Sequence, residues 1–104
     1  MFVTMNRFTI APEHWDDFEE RFRQRAGLID QEPGFIRNVV LRPVEGSCAE
    51  HIVMTLWRSR RDFEAWTHSE SFRKAHQRAG TTPKQWFLAP NRLEIFESVS
   101  DSGD

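Results

Sequence analysis

The stretch FIRNVVLRPVEGSCAEHIVMTLW, residues 35–57, decides the fold. Its two ends, Phe35–Val44 and His51–Trp57, are rich in Val, Ile, Phe and Trp, side chains that suit a pleated, half-buried surface. Between them Gly46 sits in a polar segment that can reverse the chain. The pair reads as a β-hairpin, and a hairpin in the middle of 104 residues leaves room for one more strand and one helical region on each side.

Upstream, Phe2, Thr4, Asn6, Phe8 and Ile10 alternate with Val3, Met5, Arg7 and Thr9, the period-two pattern of a first strand over 2–10. Pro12 suits an opening helical turn. Trp15, Phe18, Phe22, Ala26 and Ile29 then recur every three or four residues, which predicts one amphipathic helix broken at about Pro33-Gly34. Downstream, Ser59 with Asp62 resembles a helix cap with an acid in the first turn, and helical spacing runs to about Ala79 before Gly80 ends it. Ser69 can cap again, so this segment is two helices or one kinked one. Residues 80–90 form a loop with an apolar middle, and RLEIFESV supplies the last strand.

The order β-α-β-β-α-β is the ferredoxin-like pattern of the α+β class: an antiparallel sheet with its helices on one face. A single domain covers residues 1–98, followed by a polar tail over 99–104. Apolar residues on both sides of the first strand, Val3 and Met5 opposite Phe2 and Phe8, predict a second sheet face buried in another subunit. A homodimer packed sheet to sheet is expected.

Charge and composition narrow the function. A net charge of -2 carries no basic footprint for nucleic acid. No stretch approaches a membrane span, and MFVTMNRFTI lacks the pattern of a secretory signal, so the expected location is cytoplasmic, with no membrane partner. Cys48 is alone and can form neither an internal disulfide nor a thiolate metal site. Nine Phe and four Trp with no Tyr suit cores, interfaces and pockets for flat ligands alike.

At about 100° per residue, Ala65, Ser69, Phe72 and Ala79 fall within roughly 60° of His76, whereas Glu70, Lys74 and Arg78 lie on the far side. His76 is therefore expected to face the sheet, among small neighbours. Asn6 sits mid-strand on the face that meets the helices, and Trp66 stands where it can wall the same layer. A lone inward histidine is more often a hydrogen-bonded core residue than a ligand, and Trp66 with Phe72 can be a core stripe. Spacing leaves a core and a ligand pocket both open.

MNRFT at 5–9, ERFRQRAG at 20–27, PGF at 33–35, LRPVEG at 41–46, TLWRS at 55–59 and DFEAWTHSESFRKAHQRAG at 62–80 together resemble the IsdG-type heme-degrading monooxygenases. These belong to the antibiotic biosynthesis monooxygenase superfamily of dimeric α+β barrels. The most specific element is the spacing of Trp66, Ser69, Phe72 and His76, combined with Asn6-Arg7. The resemblance implies heme as substrate and cofactor, with dioxygen and an external electron donor, a reductase or a small reductant, opening the ring and releasing iron. It implies His76 as axial ligand of the heme iron, Asn6 as the distal hydrogen-bonding residue and Trp66 as a bulky wall that distorts the porphyrin. Phe22, Arg25 and Phe72 join them as heme-binding residues, and Arg21 or Arg25 is expected to meet a propionate. His14, His51 and His68 are weaker axial candidates, expected to be exposed or structural. Two other readings remain: a cofactor-free monooxygenase of the same superfamily acting on a quinol or other flat aromatic substrate, and a non-catalytic heme-binding protein.

Overall fold

The central hairpin forms. β2 (Phe35–Leu41) and β3 (His51–Trp57) pair antiparallel, with Phe35 opposite Trp57 and Leu41 opposite Ile52. The computed structural model describes residues 1–24 and 27–103. In it β1 (Phe2–Phe8) pairs antiparallel with β3 on one side and with β4 (Arg92–Glu97) on the other, giving the sheet order β2-β3-β1-β4. This is the ferredoxin-like order expected of the sequence, in an α+β chain. β2 stops three residues before Val44, and the buried Pro43, which has no N–H for a ladder, lies just beyond its end.

The first strand is also shorter than its alternation suggests. Ile10 leaves the ladder and makes an isolated bridge with Phe87, flanked by bonds from the Ala11 N–H to the Trp86 carbonyl and from the Leu88 N–H to the Thr9 carbonyl, each 2.8 Å. The apolar middle of the 80–90 loop is thereby docked. Phe87 packs on Phe8 and Phe18, and Trp86 stacks on His14.

The single long helix expected over 12–32 does not form. A 3-10 turn, Pro12–His14, leads into α1 (Trp15–Arg23), and Ile29 reaches the core from its own 3-10 turn, Ile29–Gln31. α1 ends at Arg23 with Gln24 as its C-cap, and Gly27, at φ +67°, takes a left-handed conformation before the second turn. Ala26, assigned to the apolar stripe, lies outside the described residues.

The second helical region is two helices, α2 (Arg60–Thr67) and α3 (Glu70–Ala79). Ser59 caps α2 by accepting from the Asp62 N–H, and Ser69 caps α3 by accepting from the Phe72 N–H at 3.1 Å. The Ser69 hydroxyl also donates to the Trp66 carbonyl at 2.7 Å, so one side chain ties the end of one helix to the start of the next. Gly34, at φ +81°, lies so close to Asp62 that a Cβ there would collide with the carboxylate.

Phe2, Ile29, Trp57 and Trp66 form the core, with Phe35, Phe63, Phe72 and Ala75 packed against it. Each fully buried aromatic contributes on the order of 2–3 kcal/mol. The helices take the sheet face that carries Phe2 and Trp57. By register the opposite face carries Val3, Met5, Ile52, Met54, Leu56 and Phe96.

Candidate active site

Three of the side chains singled out from the sequence form one continuous ring stack. Trp66, only 7% exposed, lies 6.3 Å from the Trp57 ring and receives Phe72 edge-on at 5.3 Å. Phe72 in turn lies 4.0 Å from the His76 imidazole. Trp66 is thus a core residue at its base, locked by neighbours on two sides.

His76 does not face the sheet; it is exposed. The reckoning from His76 placed Ala65 on one continuous helix, whereas the chain breaks at Ser69 and α3 packs on the core through its own face. Phe72 and Ala75 take the inward slots of that helix instead. Ala65 and Ala79, expected to flank a buried imidazole, are exposed with it.

Among the described residues, His76 has one hydrogen-bond partner in the chain. Its Nδ1 lies 3.2 Å from the Phe72 carbonyl oxygen, one turn back. A carbonyl can only accept, so a neutral His76 donates from Nδ1 and keeps its lone pair on Nε2. This is the form in which a histidine binds a metal, with the carbonyl fixing ring and tautomer. Among the described residues no three His, Cys, Asp or Glu side chains gather to hold a bare metal ion. One imidazole fits an iron that brings its equatorial ligands with it, as a porphyrin does.

Asn6 sits on the helix side of β1, opposite Val53 on β3 and Leu93 on β4. Its Oδ1 accepts from Asn91 Nδ2 at 2.9 Å. Beside it the helix-side face of β4 is uncovered: Leu93 is 57% and Ile95 44% exposed. Apolar side chains on that face, next to a polar amide, make an open floor rather than a closed pocket.

Phe22 packs edge-on against Phe18 at 5.0 Å and lines a cavity of about 360 Å³ with Glu19, Arg23, Asn38, Val40 and Arg42. Neither this cavity nor a shallower one near the start of β1 includes Asn6, Trp66, Phe72 or His76. Arg25 lies outside the described residues. Arg21, the other propionate candidate, is already engaged: its Nη2 donates to the Arg78 carbonyl at 3.0 Å and to the Thr81 hydroxyl at 2.7 Å. Arg78 answers by donating to the Arg21 carbonyl at 3.2 Å, so the C-terminal ends of α1 and α3 clasp each other. That clasp brings the ends carrying Phe22 and His76 to the same region of the helix layer.

The other histidines are structural or peripheral. His14 stacks on Trp86, and His68 is an exposed C-cap. His51 is 0% exposed, held edge-on by Trp15 and Phe18, with Nε2 donating to Glu19 at 2.7 Å. Arg42 donates twice to the same carboxylate. The Glu19 pKa is held down to about 2, above all by the Arg42 hydrogen bonds, then by His51, against burial that pushes it up. The Arg42 pKa is raised in return. This network was missed in the sequence, although an acid at position 19 on the stripe of Trp15, Phe18 and Phe22 signals it. Asn91 carries no such signal.

The antibiotic biosynthesis monooxygenase family model matches residues 1–78. A mycobilin-producing heme oxygenase of Mycobacterium tuberculosis is 33% identical over 101 residues, 97% of this chain and 91% of the relative. A staphylobilin-producing heme oxygenase of Staphylococcus haemolyticus is 34% identical over 86 residues, 82% of each chain. Among solved structures, the heme-degrader MhuD of Mycobacterium tuberculosis with two hemes bound in its active site is 29% identical. It superposes with a TM-score of 0.78 over 99% of this chain and 100% of that one.

Proposed function

Since this chain belongs to the antibiotic biosynthesis monooxygenase family, we propose that it is a heme-degrading monooxygenase, an oxidoreductase whose substrate is heme. The relatives that carry this activity in their names match nearly the whole chain. Within the chain itself, the carrying observation is His76: an exposed imidazole whose Nδ1–H is committed to the Phe72 carbonyl, leaving Nε2 free to ligate.

Bound heme supplies an iron at which dioxygen and electrons from an external donor, a reductase or a small reductant, open the macrocycle. His76 would hold that iron through Nε2, and the bond from Nδ1 to the Phe72 carbonyl would raise its basicity. Phe72 backs the imidazole and limits its rotation. Trp66 resists displacement because Trp57 and Phe72 brace it, which would make it a rigid wall for a bound macrocycle. Asn6 would offer the bound substrate a neutral hydrogen-bonding group without supplying a strong acid. Phe22 is a further heme contact in this proposal, and Arg21 is already bonded to Arg78 and Thr81. The exposed Leu93 and Ile95 support entry of a flat apolar ligand from the β4 side.

The proposal includes a cytoplasmic homodimer formed through the uncovered sheet face. The exposed free thiol of Cys48 suits a reducing compartment. Among the described residues no helix is long and apolar enough to cross a membrane.

The test is a hemin titration of the apoprotein, followed by ascorbate in air with catalase present and a ferrous chelator. The expected result is a saturable Soret band that bleaches as iron is released. His76→Ala should lose that band while His14→Ala and His68→Ala keep it. Full coordination in His76→Ala would remove that residue as the ligand, and a Soret band stable to ascorbate would leave a heme-binding protein without turnover.

A further inference from the structure

We propose that the rings leading inward from His76 are a redox relay, one that draws oxidising equivalents from an iron held at His76 into the buried pair Trp66 and Trp57. The imidazole lies 4.0 Å from the Phe72 ring, Phe72 meets Trp66 edge-on at 5.3 Å, and Trp66 lies 6.3 Å from Trp57. Every neighbour in this line is an aromatic ring, and it runs from an exposed side chain to one that is 1% exposed. Phe35, half-buried, meets Trp57 edge-on at 5.9 Å and brings the far end within one ring of solvent. An indole gives up an electron far more readily than a phenyl ring, and the chain has no Tyr to compete with its four Trp. An electron vacancy that enters at His76 therefore crosses Phe72, which only bridges, and settles on Trp66 and Trp57.

The other two tryptophans stand off the line, Trp15 against His51 and Trp86 against His14, and both are more exposed than the relay pair. Packing alone accounts for the bulk of the core rings, not for the placement of both buried indoles on the line that ends at His76. The oxidant is hydrogen peroxide reacting at the bound iron. Each peroxide takes up two electrons and two protons to give two waters. Trp66 and Trp57 each supply one electron and release the indole N–H proton, so the iron ends in the oxidation state in which it began. A small reductant of the ascorbate class then returns one electron and one proton to each indole radical. The relay thereby spares the macrocycle from peroxide. Its use rests on the heme reading, whereas the path from His76 to the two indoles belongs to the chain itself.

The first experiment treats the hemin-loaded chain with hydrogen peroxide in the absence of reductant and maps oxidised tryptophan by peptide mass spectrometry. Oxidation at Trp66 and Trp57 is expected to exceed that at Trp15 and Trp86 by about fivefold or more, the reverse of the order that exposure to peroxide in solution imposes. The apoprotein treated in the same way should follow the exposure order.

The second experiment needs no heme. His14→Gln with His68→Gln leaves His76 as the exposed histidine, since His51 is fully buried. A photo-oxidising rhenium tricarbonyl diimine is ligated to His76 Nε2, and a laser flash with hexaammineruthenium(III) as electron acceptor creates the vacancy there. Transient absorption should show an indole radical, kept in Trp15→Phe with Trp86→Phe and reduced about tenfold in Trp57→Phe with Trp66→Phe. Phe72→Leu, which removes the bridging ring and leaves both indoles in place, should slow formation of the radical about fivefold or more. Absence of an indole radical in the labelled chain, an unchanged signal in Trp57→Phe with Trp66→Phe, or oxidation led by Trp15 and Trp86 with hemin bound would overturn the relay. Failure of the native apoprotein to bind hemin would instead strike the heme reading, and the flash experiment would still decide the path.

Discussion

The carboxylate of Glu19 illustrates how much one side chain can be altered by its partners. Its two oxygens accept from Arg42 and His51, and its pKa stands at about 2 instead of the usual value near 4.5. A depressed carboxylate stabilises the fold above its unfolded pKa, and that contribution disappears as pH falls from about 4.5 through about 2. Arg42 is half exposed, so solvent screening limits the effect to about 2 kcal/mol. Urea melts of the native chain and Glu19→Gln at several pH values should therefore converge by about this amount on acidification. Parallel pH profiles would show that the network does not couple to folding. On its other side His51 carries a cost: Nδ1 is buried without a partner, the one such side-chain atom among the described residues.

At the scale of elements, the break between α2 and α3 matters most, because it leaves α3, which carries His76, to pack on the core through its own face. Ser69 bonds to both helices across the break, whereas Ser59 caps only α2. Replacing either by Ala should cost about 1 kcal/mol of stability, read from the urea midpoint. Only Ser69→Ala should also weaken hemin binding, by about threefold or more, because it loosens the angle that aims α3. Equal hemin affinity in the two variants would mean that the clasp between Arg21 and Arg78 holds α3 in place by itself. The short α1 belongs to the same scale: it stops at Arg23 with Gln24 as its C-cap, and Ile29 enters the core from its own 3-10 turn.

For the whole molecule, the sheet face opposite the helices carries Val3, Met5, Ile52, Met54, Leu56 and Phe96. Met54 lies near the centre of that face, between Met5 and Val39. In the proposed homodimer Met54→Asp would bring a charge into the contact between the two copies without touching the helix-side core, so the chain should stay folded while the dimer dissociation constant rises by about a hundredfold or more. Sedimentation of the native chain and the variant measures this. A monomeric native chain, or a variant that remains dimeric at micromolar concentration, would exclude the face as the interface.

Features carried by neighbouring residues were determined by the sequence itself. Alternation along β1, the hairpin of β2 and β3, the caps at Ser59 and Ser69, and the spacing of Trp66, Phe72 and His76 depend on dihedral preference and local hydrogen bonding, which act over a few residues. Tertiary structure alone decided what depends on long-range partner choice: the outward turn of His76, the docking of Phe87 on Phe8 and Phe18, the union of Glu19 with His51 and the bond from Asn91 to Asn6. The physical reason is that the packing face of a helix or the partner of a side chain is set by whichever distant surface it meets, and local spacing carries no record of that surface.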